Sequence, residues 1–410
     1  MKYKRFLNNT FMQYIMTFAQ YLFPLITFPY LTRVLEPEMY GIVTYLTATI
    51  TFFQIFVDYG FNLSATKEIA QNQDNKKFIG KIVGSIIQAK VLLVLASILI
   101  YTIIIMFIPI LQENIILSYL YMGTVVLSIW LPDFLFRGIE RMAIITNRFL
   151  VSKTITTALT FVMVQSKDDV IWIPLLNIFG SLVAILLTWY QIKKTLRIRV
   201  YFSSFRFMVS NIKISTVYFI STFATTAFGI ANTFMLGVME LPLNQVAYWS
   251  LSYSLIGMAQ SLYTPITNSL YPHMVARRDF KLVKKLLIIF MPLILLTTIF
   301  VWGLSDLIIT ILAGKQYLDA VPIFRSLLPV LIFSFPAMVL GFPVLGAIGK
   351  VKETTITTII SSLFHIMGLV VLVVSGKFTV INIAILRSIT EFILLATRGY
   401  YILRMIFRVK

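Results

Sequence analysis

The chain has 410 residues, 59% of them hydrophobic and only 12% charged, against about 25% charged in an ordinary soluble domain, so a fold solvated on all sides by water is excluded. Its formal net charge is +19, but the cations sit in short segments between long apolar runs, which excludes a nucleic-acid surface as their purpose. There is no cysteine, which excludes a disulfide framework and a thiolate metal site.

Apolar runs of about twenty residues recur along the whole length, the pattern of membrane-crossing helices. Backbone groups in lipid must be bonded within their own segment. Long continuous runs achieve this as helices, whereas a barrel would show short alternating segments. The predicted fold class is all-α and polytopic. In chain order, twelve transmembrane helices are expected at 9–32, 39–63, 82–109, 115–136, 143–164, 170–192, 213–237, 244–270, 286–312, 321–346, 354–374 and 379–403. The first run is too long for a cleaved leader and lacks a small-residue cleavage motif, so it reads as a retained span.

The first two spans are joined by the stretch "FPYLTRVLEPEMYGIVTYL" (Phe28–Leu46), which holds Arg33, Glu36 and Glu38 in a very short turn. The connections then alternate in charge. One set holds the terminal Lys2, Lys4 and Arg5, then Lys67, Lys76, Lys77 and Lys81, then Arg137, Arg141 and Arg148. The same set continues through six basic residues in Lys193–Lys213, five between Arg277 and Lys285, Lys350 with Lys352, and the tail with Arg404, Arg408 and Lys410. The opposite set holds only Lys167, Lys315 and Lys377. By the positive-inside rule both termini are cytoplasmic, and Arg33 lies at the outer end of the first span, against the charge bias of its side.

The longest connection, "KKTLRIRVYFSSFRFMVSNIK" (Lys193–Lys213), divides the chain into six spans and six. The expected organisation is an N-terminal bundle at 1–192, a basic cytoplasmic linker at 193–213 and a C-terminal bundle at 214–410. The linker reads either as an amphipathic segment on the inner leaflet or as a plain basic connection. "MYGIVTYLTATI" (Met39–Ile50) aligns loosely with "VAYWSLSYSLIG" (Val246–Gly257), each opening the second span of its half. Such pseudo-symmetry is a common transporter plan. In span ten Pro322, Pro329, Pro336 and Pro343 recur every seven residues and predict a bent helix, either a moving gate or a fixed curve. Pro24 and Pro29 predict a bend in span one.

Ionisable side chains at membrane depth need a water-filled cavity or a partner. Lys90 lies deep in span three, Lys153 in span five, Arg325 just inside span ten, and Arg387 with Glu391 one turn further along span twelve. With Arg33 these make five cations against few deep acids. Asp58, Asp133 and Asp306 lie nearer span ends. For Lys153 and Arg33 the alternative is snorkelling to the headgroups. For Arg387 and Glu391 it is mutual neutralisation at i,i+4. His273 and His365 read as structural, and no metal ligand set or catalytic set is expected. Excess positive charge in a cavity implies an anionic substrate, since guanidinium forks match phosphate oxygens and lysine adds point charge. No phosphate-cradling loop is present, so no nucleotide-driven engine is expected.

The stretch "FPYLTRVLEPEMYGIVTYLTATITFFQIFVDYGFNLSATKEIA" (Phe28–Ala70) resembles the opening of the Wzx-type polysaccharide-export flippases of the multidrug/oligosaccharidyl-lipid/polysaccharide exporter superfamily. "NTFMLGVMELPLNQVAYWSLSYSLIGMAQSLYTPITNSLYPHM" (Asn232–Met274) is similar to that family's region of spans seven and eight, and "AGKQYLDAVPIFRSLLP" (Ala313–Pro329) to its outer loop before span ten. The resemblance covers essentially the whole chain. It implies two pseudo-symmetric six-helix bundles around a central cationic cavity. It implies alternating-access movement of an undecaprenyl-pyrophosphate-linked oligosaccharide, an O-antigen or capsule repeat unit, to the outer leaflet. Arg33 and Arg325 match family arginines and take a cavity role by that resemblance. Lys90, Lys153 and Arg387 join them as expected substrate-binding residues on depth and charge. Asp58 and Glu391 are the candidates for ion coupling. The sequence departs from the family at Glu36, where glycine is usual, at Asn232, where aspartate is common, and at Ala247, where glycine is.

These features describe a transporter in the bacterial inner membrane that is not an enzyme, needs no cofactor and works as a monomer. Its expected partners are the lipid-linked oligosaccharide, membrane lipids, and a polymerase and chain-length regulator of the same pathway. The alternatives are a cation-coupled small-molecule exporter of the same superfamily, and a membrane glycosyltransferase or polymerase using Glu36 and Glu38. The few deep acids weigh against the exporter, and the shortness of the outer turn weighs against the enzyme.

Overall fold

The computed structural model describes residues 2–408, with no statement about side chains at 2–7, 221, 224–230, 272, 276 and 405–408. The terminal cations Lys2, Lys4, Arg5, Arg408 and Lys410 therefore lie outside the residues whose side chains are described. By internal contacts the chain separates into two units, Met1–Leu241 and Pro242–Lys410.

The first unit holds α1 (Lys2–Val34), α2 (Glu36–Asp58), α3 (Phe61–Gln71), α4 (Lys76–Ile105), α5 (Pro109–Glu113), α6 (Ile115–Leu127), α7 (Asp133–Gly138), α8 (Met142–Met163), α9 (Trp172–Tyr190) and α10 (Phe205–Val238). The breaks have local causes. Glu36 takes φ 59° between α1 and α2, with Pro37 opening α2. Tyr59 and Gly60 both take positive φ and stop α2, a conformation that glycine enters without a Cβ clash. Asn75 caps α4, its side chain accepting from the Phe78 N–H at 3.0 Å, which satisfies one of the unpaired donors of that helix end.

A division at the Lys193–Lys213 connection is expected from the sequence. By contacts α10 packs with the first unit instead. The cause is close approach between α10 and α2. A Cβ at Gly237 would lie 2.1 Å from the Tyr45 ring, and the Tyr59 and Phe219 rings stack at 4.6 Å.

The middle of the basic connection holds no helix. After the π-turn Gln191–Leu196 and the left-handed Arg197, the chain runs without regular structure along α4 as far as Ser204. Tyr201 donates its N–H to the Gly80 carbonyl at 3.2 Å, Ser203 donates its N–H to Gln88 Oε1 at 2.9 Å, and Lys76 Nζ donates to the Leu196 carbonyl at 2.9 Å. A Cβ at Gly80 or Gly84 would come within 1.9 Å of the Arg199 or Tyr201 carbonyl oxygen. Two glycines one turn apart thus cut the groove that receives the connection. Phe202 and Phe205 are left exposed beside it.

The second unit holds α11 (Leu243–Ser261), α12 (Thr264–Arg277), α13 (Phe280–Gly303), α14 (Ser305–Ala313), α15 (Val321–Leu327), α16 (Pro329–Val339), α17 (Val351–Val374) and α18 (Val380–Arg408). Its core includes Met274, Val283, Phe335 and Val339. Of the four prolines in span ten, Pro322 and Pro329 open helices α15 and α16 rather than bending one. Pro336 and Pro343 are interior, and the break falls at Gly341, with φ −68° and ψ −122°.

Among the described residues every regular element is helical. Among the described residues eight helical segments are long and apolar enough to cross a membrane: Glu36–Gln71, Lys76–Ile105, Ile115–Gly138, Lys167–Leu196, Phe280–Gly303, Lys315–Gly346, Val351–Val374 and Val380–Arg404. α1, α8, α10 and α11, of 33, 22, 34 and 19 residues, fall on the other expected spans.

Candidate functional site

In the first unit α2 brings Asp58 to its C-terminal end, against Lys90 on α4. Lys90 is buried, with Nζ 2.7 Å from Asp58 Oδ1. Gln54, one turn earlier on α2, donates its amide to Asp58 Oδ2 at 3.0 Å. The expected deep cation and the expected coupling acid are thus a single neutralised pair.

Gln54 also lines an open cavity of about 400 Å³ among α1, α2, α6, α7, α8 and α9. Two cations of α8 reach it. Arg148 is buried and donates to Thr188 Oγ1 at 2.7 Å and to Asp133 Oδ1. Lys153 lines the same cavity and, among the described residues, forms no salt bridge. Small side chains make this arrangement possible. A Cβ at Gly180 of α9 would lie 2.6 Å from Thr156 Cγ2 and 2.9 Å from Ser152 Oγ, and Ser152 donates to the Gly180 carbonyl at 2.7 Å.

Arg33 is exposed in the last turn of α1, where a cation complements the helix dipole. On the same side of this unit Lys167 meets Glu36 at 3.3 Å. Both belong to the expected outer connections.

In the second unit Arg387 and Glu391 are both buried on α18 and meet in a fork, Nη1 to Oε2 and Nη2 to Oε1 at 3.3 Å each. Gln260 of α11 reaches Glu391 at 3.5 Å. Arg325 donates to Asp306 Oδ2 at 2.5 Å and to the Trp302 carbonyl at 3.3 Å, and lies 5.0 Å from the Trp302 ring centroid. His365 is buried against Thr390 at 2.9 Å, a structural contact. His273 approaches Asp279 at 3.7 Å. Asp279 is held below its ordinary pKa, first by the backbone N–H of Leu282 that it caps.

Asp58, Asp133, Asp306 and Glu391, the deep or near-deep acids singled out in the sequence, therefore each sit against a basic side chain of the chain itself. Among the described residues no group of three or more His, Cys, Asp or Glu stands ready to hold a metal ion.

Residues 6–277 match the family described as polysaccharide biosynthesis protein. The chain belongs to the polysaccharide biosynthesis protein family. It is 29% identical over 261 residues to the "Putative O-antigen transporter" of Escherichia coli K12, covering 62% of this chain and 61% of that protein. The chain thus aligns to less than two thirds of that relative's length. A Shigella dysenteriae protein of the same description is 25% identical, covering 76% of this chain and 78% of its own. Among solved structures the fold is similar to the lipid II flippase MurJ in an inward closed conformation, with TM-score 0.73, 16% identity and coverage of 95% and 86%. It is also similar to an inward-facing multidrug resistance MATE family transporter of the MOP superfamily, with TM-score 0.67, 14% identity and 93% coverage of each. This polysaccharide biosynthesis family member is a multi-pass membrane protein.

Two buried cations of this family member escape a reading by depth and charge. Arg148 reads as one more inner-loop cation, yet Arg148, Ser152 and Thr156 recur every four residues and mark one face of α8. Arg398 lies in α18, buried, and donates to the Ala337 carbonyl at 2.5 Å, Thr358 Oγ1 at 3.1 Å and Thr357 Oγ1 at 3.4 Å. Its signal is the spacing Arg387, Glu391, Arg398, a single face at i, i+4 and i+11.

Proposed function

We propose that the chain is a flippase that carries undecaprenyl-pyrophosphate-linked oligosaccharide repeat units from the cytoplasmic to the outer leaflet by alternating access. The observation that carries this reading is the match of residues 6–277 to the polysaccharide biosynthesis family. Two relatives described as O-antigen transporters support it. The reading includes twelve spans in two pseudo-symmetric six-helix bundles around a central cationic cavity, with both termini cytoplasmic. It places the protein in the bacterial inner membrane as a monomer, with a polymerase and a chain-length regulator as pathway partners.

Arg33, Lys90, Lys153, Arg325 and Arg387 are the proposed contacts to pyrophosphate or anionic glycan. Lys90, Arg325 and Arg387 already hold carboxylates, so each must exchange its partner to take substrate oxygens. Guanidinium and ammonium groups make that exchange without changing charge. Asp58 and Glu391, the proposed ion-coupling acids, each face an internal cation, which supports a cycle needing no bound sodium or proton. Outward movement of a pyrophosphate runs with a negative-inside potential, worth about 2.3 kcal/mol per charge per 100 mV.

The test is flipping of a fluorescent lipid-pyrophosphate oligosaccharide in proteoliposomes at equal pH, without a sodium gradient, under valinomycin-set potassium potentials. Flipping that accelerates with a negative interior is expected. Absence of flipping overturns the function. Flipping that ignores potential but follows sodium or proton gradients returns the coupling role to Asp58 and Glu391.

A further inference from the structure

The ribbon between α9 and α10 is fixed in place, and it grades from charged to aromatic along α4. It starts at Lys76, whose Nζ donates to the Leu196 carbonyl at 2.9 Å. The Arg199 carbonyl lies against Gly80 and the Tyr201 carbonyl against Gly84, one helical turn further, a rise of about 6 Å. Ser203 then bonds the Gln88 side chain at 2.9, 3.0 and 3.3 Å. Through 196–199 buried and exposed residues alternate. Leu196 and Ile198 are buried, and Arg197 and Arg199 are exposed, the period of an extended chain. After Tyr201 the exposed residues include Phe202 and Phe205, 85% and 72% accessible.

Among the described residues neither arginine forms a salt bridge, and residues 191–213 contain no acid. Nearby, α3 and the turn into α4 carry Glu68 and Asp74 against Lys67, Lys76, Lys77 and Lys81, so the surroundings stay basic. Lys81 is spent on the Phe207 ring, 4.3 Å from its centroid. α4 is long and apolar enough to cross a membrane, with Lys76, Lys77 and Lys81 at its mouth and the exposed rings past them. An acidic soluble protein would meet the arginines but not the rings beyond. A neutral apolar chain would meet the rings and leave the arginines unused. A molecule with an anionic head and an apolar tail satisfies both.

We propose that the docked ribbon is a binding site for an anionic glycerophospholipid, with the lipid phosphate on Arg197 and Arg199 and its acyl chains against Phe202 and Phe205. Guanidinium forks suit phosphate oxygens. The lipid covers the outward face of the ribbon, as the glycine groove receives the inward one. The site needs only that α4 crosses a bilayer; it rests on the reading above solely for naming the leaflet as cytoplasmic.

The test uses the full chain in nanodiscs of mixed phosphatidylglycerol and phosphatidylcholine. The chain has no cysteine, so Phe202→Cys carries a single bimane label, and bromine is placed on the acyl chains of one lipid or the other to quench it. Phosphatidylglycerol should be favoured at the label by about fivefold or more, the worth of one basic residue near an anionic surface. Arg197→Gln with Arg199→Gln should abolish the preference, and Arg197→Lys with Arg199→Lys should keep part of it. Raising salt from about 0.05 M to about 0.5 M should shrink the preference of the labelled chain with both arginines present, a readout that stands even where the glutamine variant does not fold. Equal quenching by the two lipids, quenching by neither, a preference that survives both glutamine changes or the added salt, or displacement by inorganic phosphate each overturns the proposal. Oligosaccharide flipping is measured separately. Flipping without a lipid preference removes only this site, whereas a lipid preference without flipping removes the function proposed above and leaves the site.

Discussion

The two units treat buried cations differently. In the second, Arg387 is clamped by Glu391 and Arg398 by three oxygens of α16 and α17. The cleft described beside α18 there is apolar, lined by Pro329, Phe333, Ile385 and Phe392. In the first, Lys90 is clamped in the same way by Asp58, but Lys153 lines a cavity without forming a salt bridge among the described residues, the Asp133 carboxylate of the same lining being held by Arg148. A cation that is matched holds helices together. A cation that is not matched is placed for something that arrives from outside. Depth in the membrane does not separate these roles; the partner does.

The largest effect that would break this comparison comes from removing a matched cation. Arg387→Met strands the buried Glu391 and should destabilise by about 3–5 kcal/mol, and Lys90→Met, which leaves a half-buried Asp58, should destabilise by somewhat less, both read as a fall in unfolding temperature in detergent. Lys153→Met should leave that temperature unchanged or raised. Adding Asp58→Asn to Lys90→Met should recover most of the loss, because a buried pair replaced as a whole is often near neutral. If Lys153→Met costs as much as Lys90→Met, the distinction between clamped and waiting cations fails.

A middle-sized effect is expected at the break of span ten. Arg398→Met removes the donor to the Ala337 carbonyl and should cost about 1.5–3 kcal/mol. Gly341→Ala should cost a similar amount through overpacking, about 1–3 kcal/mol, because its Cβ would stand 2.7 Å from Arg398 Nη1. The two changes share one contact, so in a double-mutant cycle they should be less than additive. Full additivity would show that the guanidinium does not hold the break.

The smallest effect lies at Glu36. Its φ of 59° is the left-handed region, which costs a non-glycine residue about 1–2 kcal/mol, and the departure from the family's usual glycine falls on this residue. Its exposed pair with Lys167 returns little in water. Glu36→Gly should therefore stabilise slightly, by up to about 1 kcal/mol. A fall in unfolding temperature would mean that the Lys167 contact matters more than the backbone.

The helices were legible because hydropathy runs and charge alternation both follow from lipid contact, which acts on every residue of a span. The pairing of the deep charges was only half legible. Arg387 with Glu391 is local, one helical turn apart, and mutual neutralisation was one of its two readings. Asp58 with Lys90 joins two helices and depends on their rotation about their own axes, which no single span encodes. Arg148 was hidden because a cation near an inner loop has an ordinary explanation already. The fate of the prolines was hidden because the same residue opens a helix or breaks one, depending on where the preceding helix stops. The position of α10 was hidden because the glycines that admit it, Gly60 and Gly237, look like any others in an apolar run.

The glycine groove on α4 also has a consequence in time. The segment that fills it is tied to α4 across 115 residues of chain, from Gln88 to Ser203. When a growing chain has placed α4 in the membrane, Gly80 and Gly84 have nothing to receive; three further spans must be threaded first. Closing a loop of that length adds entropy cost only logarithmically, so the delay rather than the distance is the hazard. Until the basic segment emerges, the N-terminal half of α4 presents a bare notch to any other stretch of polypeptide nearby. Docking of Arg199–Ser203 is thus a late act of the first unit's assembly, followed by the packing of α10, and a substitution there would be expected to show first as a loss of correctly assembled protein during synthesis and only later as a weaker finished fold.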